Sequence, residues 1–217
     1  MNNNNEAQLE LSDHMAMIFS TPLVAYNWPD SENLNRELTQ EILKREASSK
    51  GVQKSNIGGW HSEPDFFRWK APCINKLFKR VNQITVSLTQ SISLSEGKPR
   101  RFKFKFDAWA NVNRDRGYNT PHNHPNCLWS GVYYIARGNP TANGDSRNGK
   151  LELLDPRAGA NMAYLKNTIL ESRYVIDPIP GLMVVFPSWL THQVHPFHGS
   201  GERISVAFNV IVEEELY

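Results

Sequence analysis

The spacing of apolar positions divides the chain near residue 100. Before that point they recur every three or four residues, and after it they alternate with polar ones. Asp30-Ser31 offers an N-cap. Leu34, Leu38, Ile42 and Leu43 then share one face of a helix predicted to run to about Ala47, closed by Ser48-Ser49-Lys50-Gly51. A second helix is predicted from about Ala71 to Ser91, with Ile74, Leu77, Phe78, Val81, Ile84 and Leu88 along one stripe. Ahead of both, Met17–Tyr26 reads as a short strand that Pro22 interrupts and so confines to an edge. Asn56–Ser62 is a glycine-hinged loop carrying Trp60 and His61.

From Arg101 onward the period is two. Phe102, Phe104 and Phe106 alternate with lysines and an aspartate, and this strand can continue through Ala108 to Asn113. Further strands are predicted at Leu128–Ala136, Lys150–Leu154, Gly181–Pro187 and Arg203–Val212, separated by clusters of glycine, asparagine and proline. Helices first and strands afterwards imply a mainly β fold with packed helices, not alternating βαβ units. The 217 residues suffice for one domain spanning 1–217. Within it, 1–15 is expected to be disordered or extended, 16–100 to give helical support, and 101–212 to form the β-core.

Composition removes several function classes. With 24 basic and 22 acidic residues the net charge is +2, which argues against a nucleic-acid footprint. The basic run Lys98–Lys105, with its interleaved aromatics, reads as an edge strand whose lysines face water; contact with an anionic partner is the alternative. Cys73 and Cys127 are the only cysteines and form no Cys-x-x-Cys motif, so neither a disulfide framework nor a structural zinc site is expected. The sequence offers no signal peptide and no membrane span, which makes a cytoplasmic setting the expectation.

Candidate chemistry concentrates in two clusters. His122-Asn123-His124 follows a turn-rich stretch, and residues i and i+2 of a strand point to one face, with Cα atoms about 6–7 Å apart. Two imidazoles so placed can converge on one metal, and His192, at the exit of the apolar run Gly181–Ser188, would supply a third ligand. The competing reading is a polar loop whose imidazoles cap nearby carbonyls. His195 and His198 compete with His192 but lie in the following loop. Arg203 and Ser205 fall on one face of the last strand, with Ala207 and Asn209, while Ile204, Val206 and Phe208 face the other way. A guanidinium and a hydroxyl two residues apart make a fork for a carboxylate. The alternative for Arg203 is a surface salt bridge with Glu202 or Asp107.

At these residues the chain resembles a known family. His-x-His, Ser-Gly-Val-Tyr-Tyr, Asp-Pro-Arg, Phe-Pro-Ser-x-x-x-His-x-Val and Arg-Ile-Ser-x-x-Phe-Asn, in that order, are similar to the Fe(II)/2-oxoglutarate-dependent oxygenases. The subgroup is the one found in phage and marine bacterial genomes and related to prolyl hydroxylases. The resemblance implies a double-stranded β-helix (a cupin-like jelly roll) with His122, His124 and His192 as metal ligands. It places Arg203 on the far carboxylate of 2-oxoglutarate, helped by Tyr134, with Asn111 as another co-substrate contact. Ser130 and Val132 would share the inward face of Tyr134; Val194 would line the pocket and Asn209 would lie near the substrate. Trp60, His61 and Trp129 are candidates for a lid or substrate wall, and buried anchors are the alternative for the tryptophans. One departure stands out: most such oxygenases carry aspartate or glutamate where His124 stands.

The expected activity is therefore an Fe(II)- and 2-oxoglutarate-dependent dioxygenase, using O2 to hydroxylate an amino-acid or peptidyl (prolyl-type) substrate with release of succinate and CO2. Two rivals stay open: a three-histidine dioxygenase that uses no 2-oxoglutarate, and a catalytically silent β-helix that binds a carboxylate ligand or a partner. The segment between Gly138 and Gly149 is expected to be a flexible loop near the opening. The N-terminal helices leave a homodimer open.

Overall fold

The computed structural model describes residues 10–93, 100–141, 145–162, 165–168 and 170–214. The asparagine run at the start lies outside them, as do 98–99 of the basic run and 142–144 of the expected loop. In chain order come β1 (Val24–Asn27), α1 (Glu32–Ser48), β2 (Asn56–Ile57), β3 (Trp60–His61), α2 (Pro72–Ile92) and β4 (Phe102–Asn113). The rest is β5 (Tyr118–His122), β6 (Trp129–Pro140), β7 (Leu151–Leu154), β8 (Arg173–Ile176), β9 (Leu182–Pro187), β10 (His192–Val194) and β11 (Gly199–Glu214). The strands form two antiparallel sheets, a major one ordered β1-β9-β6-β11-β4-β3 and a minor one ordered β2-β5-β10-β7-β8. This is a jelly roll with two helices packed on one side.

The helices stand close to their expected bounds because their periodicity is strong. Pro72 opens α2, where its missing N–H would be unpaired in any case. Leu34, Leu38 and Ile42 of α1 meet Ile74, Leu77 and Val81 of α2 in one cluster. That cluster covers the outer face of the major sheet through Ala108, Ala110, Val112, Ile204, Val206, Phe208 and Val210. A smaller cluster lies between the sheets, built from Tyr134, Leu151, Leu153, Val184, Phe186 and Leu190. None of the described helices is long and apolar enough to cross a membrane.

The longest ladder is β4 against β11, paired from Arg203 opposite Asn113 to Glu214 opposite Phe102. The β4 bounds agree with the alternation in the sequence. Its first half is an edge as expected, with Lys103 and Lys105 exposed, because β3 pairs only with Asn111 and Val112. Several expectations are corrected. Residues 17–23 are not strand, so β1 begins after Pro22, although it is indeed an edge. Arg203 does not open the last strand, which starts at Gly199. Pattern reading missed β5, β8 and β10, which are three to five residues long and too short to display a period.

Candidate active site

His122 and His192 are direct cross-strand partners of β5 and β10. Partners so placed have Cβ atoms about 4.5–5.5 Å apart, and the two rings stand 4.3 Å apart between centroids. His124 arrives differently from expectation. The strand ends at His122, and the loop beyond it brings His124 back, anchored by its N–H donating to the Ser188 carbonyl at 2.9 Å. The three imidazoles each offer a nitrogen, and these atoms lie within 4.8 Å of one another. Such a group could hold one ion.

The tautomers of two rings are fixed by hydrogen bonds. His122 Nδ1 lies 2.7 Å from the Thr120 carbonyl and His192 Nδ1 lies 2.9 Å from the Leu190 carbonyl. A carbonyl can only accept, so each Nδ1 carries the proton and each Nε2 keeps its lone pair. Burial lowers all three pKa values. His192 falls to about 3 and His124 to about 4, in both cases through desolvation first and the neighbouring imidazoles next. His122 is lowered by desolvation against its Thr120 bond. Neutral imidazoles are the form that ligates a metal.

Behind this cluster a polar row crosses the major sheet. Ser205 on β11 pairs with Tyr134 on β6 and with Asn111 on β4, and Asn111 pairs in turn with His61 on β3. Strand alternation aims all four into one cavity of about 460 Å³, shared with the three histidines and Arg203. Arg203 is 2% exposed, and its Nε donates to the Gly149 carbonyl at 2.8 Å. It stands 5.5 Å from the Tyr134 ring centroid, and desolvation lowers its pKa. Among the described residues no carboxylate lies within ion-pair distance of Arg203; Glu202 instead faces Arg114 at 3.5 Å. The surface-salt-bridge reading is thereby excluded. The Tyr134 hydroxyl and Asn111 Oδ1 are buried without a hydrogen-bond partner, and burial pushes the Tyr134 pKa up to about 12. Buried orphans of this kind carry a cost unless a ligand satisfies them.

Of the expected pocket residues, Ser130, Val194 and Asn209 do line the cavity, and Ser130 Oγ donates to Asn209 Oδ1 at 2.8 Å. Trp60 and Trp129 do not. Trp129 is 1% exposed on the helix side, its Nε1 donating to Thr89 Oγ1 at 2.9 Å. Trp60 turns away from the cavity and donates to the Ser49 carbonyl at 2.9 Å, while its neighbour His61 points in. Both are anchors. His195 is bound to the buried carboxylate of Glu152, and His198 lies 3.8 Å from Asp115, so neither joins the cluster. Gly149, at the end of the segment expected to be a flexible loop, is itself fixed. Gly149 is buried at a φ of 65°, a left-handed conformation that favours glycine, and it braces Arg203.

Sequence reasoning missed Trp109. It lies 5.4 Å from the His61 ring, stacked at 12°, and 5.6 Å from the His124 ring. It shares the parity of Asn111 on β4, and that signal could have found it. Ser55 was also missed. Its Oγ is 3.4 Å from His122 Nε2 and accepts from Asn119 Nδ2 at 3.2 Å, contacts that a short irregular loop does not advertise in sequence.

The fold is a jelly roll, and its cavity sets three histidines that could hold one ion beside a buried arginine. Residues 107–209, just under half of the chain, match the family described as "Putative 2OG-Fe(II) oxygenase", and over that span the chain is similar to it. Its cofactor is Fe(II) and its co-substrate 2-oxoglutarate. No curated protein matches the sequence. Among solved structures the chain is similar to a Pseudomonas putida prolyl-4-hydroxylase, at 16% identity and a TM-score of 0.61, covering 88% of this chain and 93% of that one. It is also similar to a prolyl hydroxylase from Trichoplax adhaerens, solved with a hypoxia inducible factor peptide fragment. There the identity is 15% and the TM-score 0.57, over 87% and 83% of the two chains. A third is HygX from Streptomyces hygroscopicus, with nickel, 2-oxoglutarate and hygromycin B bound. Its identity is 11% and its TM-score 0.56, over 88% and 82% of the chains. Identities this low speak for the fold alone.

Proposed function

We infer that this oxygenase hydroxylates an amino-acid or prolyl-type peptidyl substrate and releases succinate and CO2. In this reading His122, His124 and His192 hold the iron, and Arg203, Ser205 and Tyr134, with Asn111 beside them, hold the distal carboxylate of 2-oxoglutarate. The observation that carries it is Arg203, a buried guanidinium with no carboxylate partner among the described residues, lining the same cavity as three neutral imidazoles. The residues suit both groups. Three lone-pair nitrogens match an iron that keeps positions open, and the orphaned Tyr134 hydroxyl and Asn111 Oδ1 answer a polar ligand. The chemistry supplied by the bound metal is activation of O2, coupled to oxidative decarboxylation of the keto acid.

The chain's own residues bind, orient and exclude. Thr120 and Leu190 hold the Nδ1 protons, so the ligating nitrogens stay fixed in orientation. Gly149 fixes Nε of Arg203 and leaves the two Nη groups for a bidentate grip on an anion. Phe186, Val132 and Trp109 make the cavity wall apolar, which limits water near the reacting atoms. Kinship in fold with prolyl hydroxylases supports hydroxylation of a prolyl-type carbon. Packing of α1, α2 and both sheets around continuous cores supports a single oxygenase domain across the chain. The test is succinate release in a panel of amino acids and peptides supplied with Fe(II), 2-oxoglutarate and O2. Succinate should form only with all three present, and a hydroxylated product should accumulate with it. Oxidation of the panel that proceeds without 2-oxoglutarate contradicts the reading.

A further inference from the structure

Among the described residues that line the cavity there is no aspartate or glutamate, but there are two cations: Arg203 at the buried end and Lys54 at the exposed mouth. Some surface cations pair with acids, as Lys105 does with Glu213 and Lys150 with Asp177, and Lys54 is set apart from the other unpaired ones by lining the cavity. Lys54 has no carboxylate within ion-pair distance among the described residues, and its charge is felt at His61 inside the cavity. It is placed by its neighbour. Ser55, the next residue, touches His122 and takes hydrogen bonds from Thr120 and Asn119, which ties this loop to β5.

The charge balance gives this arrangement its meaning, and it rests on the functional reading above. Dianionic 2-oxoglutarate cancels Fe(II). With three neutral imidazoles and no acidic ligand, the two protein cations remain uncompensated in the loaded cavity. A cation in this excess, beside walls of low dielectric, attracts a carboxylate placed near it and disfavours a substrate that offers it only neutral or cationic groups. We propose that the primary substrate carries a free carboxylate, which Lys54 binds at the mouth while the substrate's hydrocarbon part lies against Trp109 and Pro64. This selects a free amino acid, or the last residue of a peptide, over a residue within a chain. The volume agrees: about 460 Å³ is at the small end for a ligand site and must also admit 2-oxoglutarate.

The experiment is calorimetric titration without oxygen of the full-length protein loaded with Mn(II) and 2-oxoglutarate. The probes are the free L-amino acids and the matched L-amino-acid amides, which lack the carboxylate charge. At least one acid should bind, with its amide at least tenfold weaker, as expected for loss of one charge-assisted contact. Lys54→Gln should bring the acid down to the affinity of the amide, Lys54→Arg should restore most of the difference, and both should bind 2-oxoglutarate as the parent does. If 2-oxoglutarate itself fails to bind, the functional reading falls. If it binds but no acid is preferred over its amide, or Lys54→Gln leaves the preference intact, the proposal about the substrate is overturned.

Discussion

The two faces of the major sheet are made by the same strands and serve opposite ends. On β11, Ile204, Val206, Phe208 and Val210 face the helices and are at most 1% exposed. Arg203, Ser205, Ala207 and Asn209 alternate with them and face the cavity. The helix side buries only groups that gain from leaving water. The cavity side buries a guanidinium, and beside it a phenol and an amide with atoms left unpaired, all at a cost. Stability resides on one face and readiness for a ligand on the other, a residue apart.

That division is open to direct attack. The largest effect is expected from Arg203→Ala. Removing one member of a buried charge pair costs on the order of 3–5 kcal/mol, so 2-oxoglutarate affinity should fall at least a hundredfold by calorimetry, while metal analysis finds iron retained. Because Arg203 has no acidic partner of its own in the described residues, the unliganded fold should lose little. A strongly destabilised Arg203→Ala protein would mean the cavity face also holds the fold. Ile204→Ala tests the opposite side: about 2–5 kcal/mol of stability should vanish in denaturant titration, with any surviving folded protein still binding 2-oxoglutarate. Next, Mn(II) and 2-oxoglutarate together should raise stability by about 2.7 kcal/mol at a hundred times Kd, and Arg203→Ala should abolish the 2-oxoglutarate share. The smallest effect is expected at Gly131, where an added Cβ would lie 2.3 Å from the Phe208 ring and 2.7 Å from the Val184 carbonyl. Gly131→Ala should cost about 1–3 kcal/mol through overpacking, read as a lowered denaturation midpoint.

What could be read from sequence followed the same division. Strong periodicity gave both helices, the bounds of β4 and the two faces of β11, since burial on one side imposes the pattern directly. The minor sheet was largely illegible: β10 has three residues, and β5 contains Pro121, so neither shows alternation. His122 and His124 were expected to converge as strand neighbours, and they converge through a loop held by Ser188. The tryptophans mark a different lapse. Trp129 sits beside Ser130 and Trp60 beside His61, so each pair has opposite parity and only one member can face the cavity. Size drew attention to the wrong member, whereas parity on β4 pointed to Trp109.

The account stands or falls on whether one ion gathers three histidines in front of an arginine-bound keto acid. A crystal structure of the protein loaded anaerobically with Mn(II) and 2-oxoglutarate tests this most directly. The expected result has Nε2 of His122 and His192 and a ring nitrogen of His124 on the metal, with Arg203 paired to the distal carboxylate. A metal that leaves out any one of the three rings, or a keto acid whose carboxylate lies away from Arg203, would contradict it.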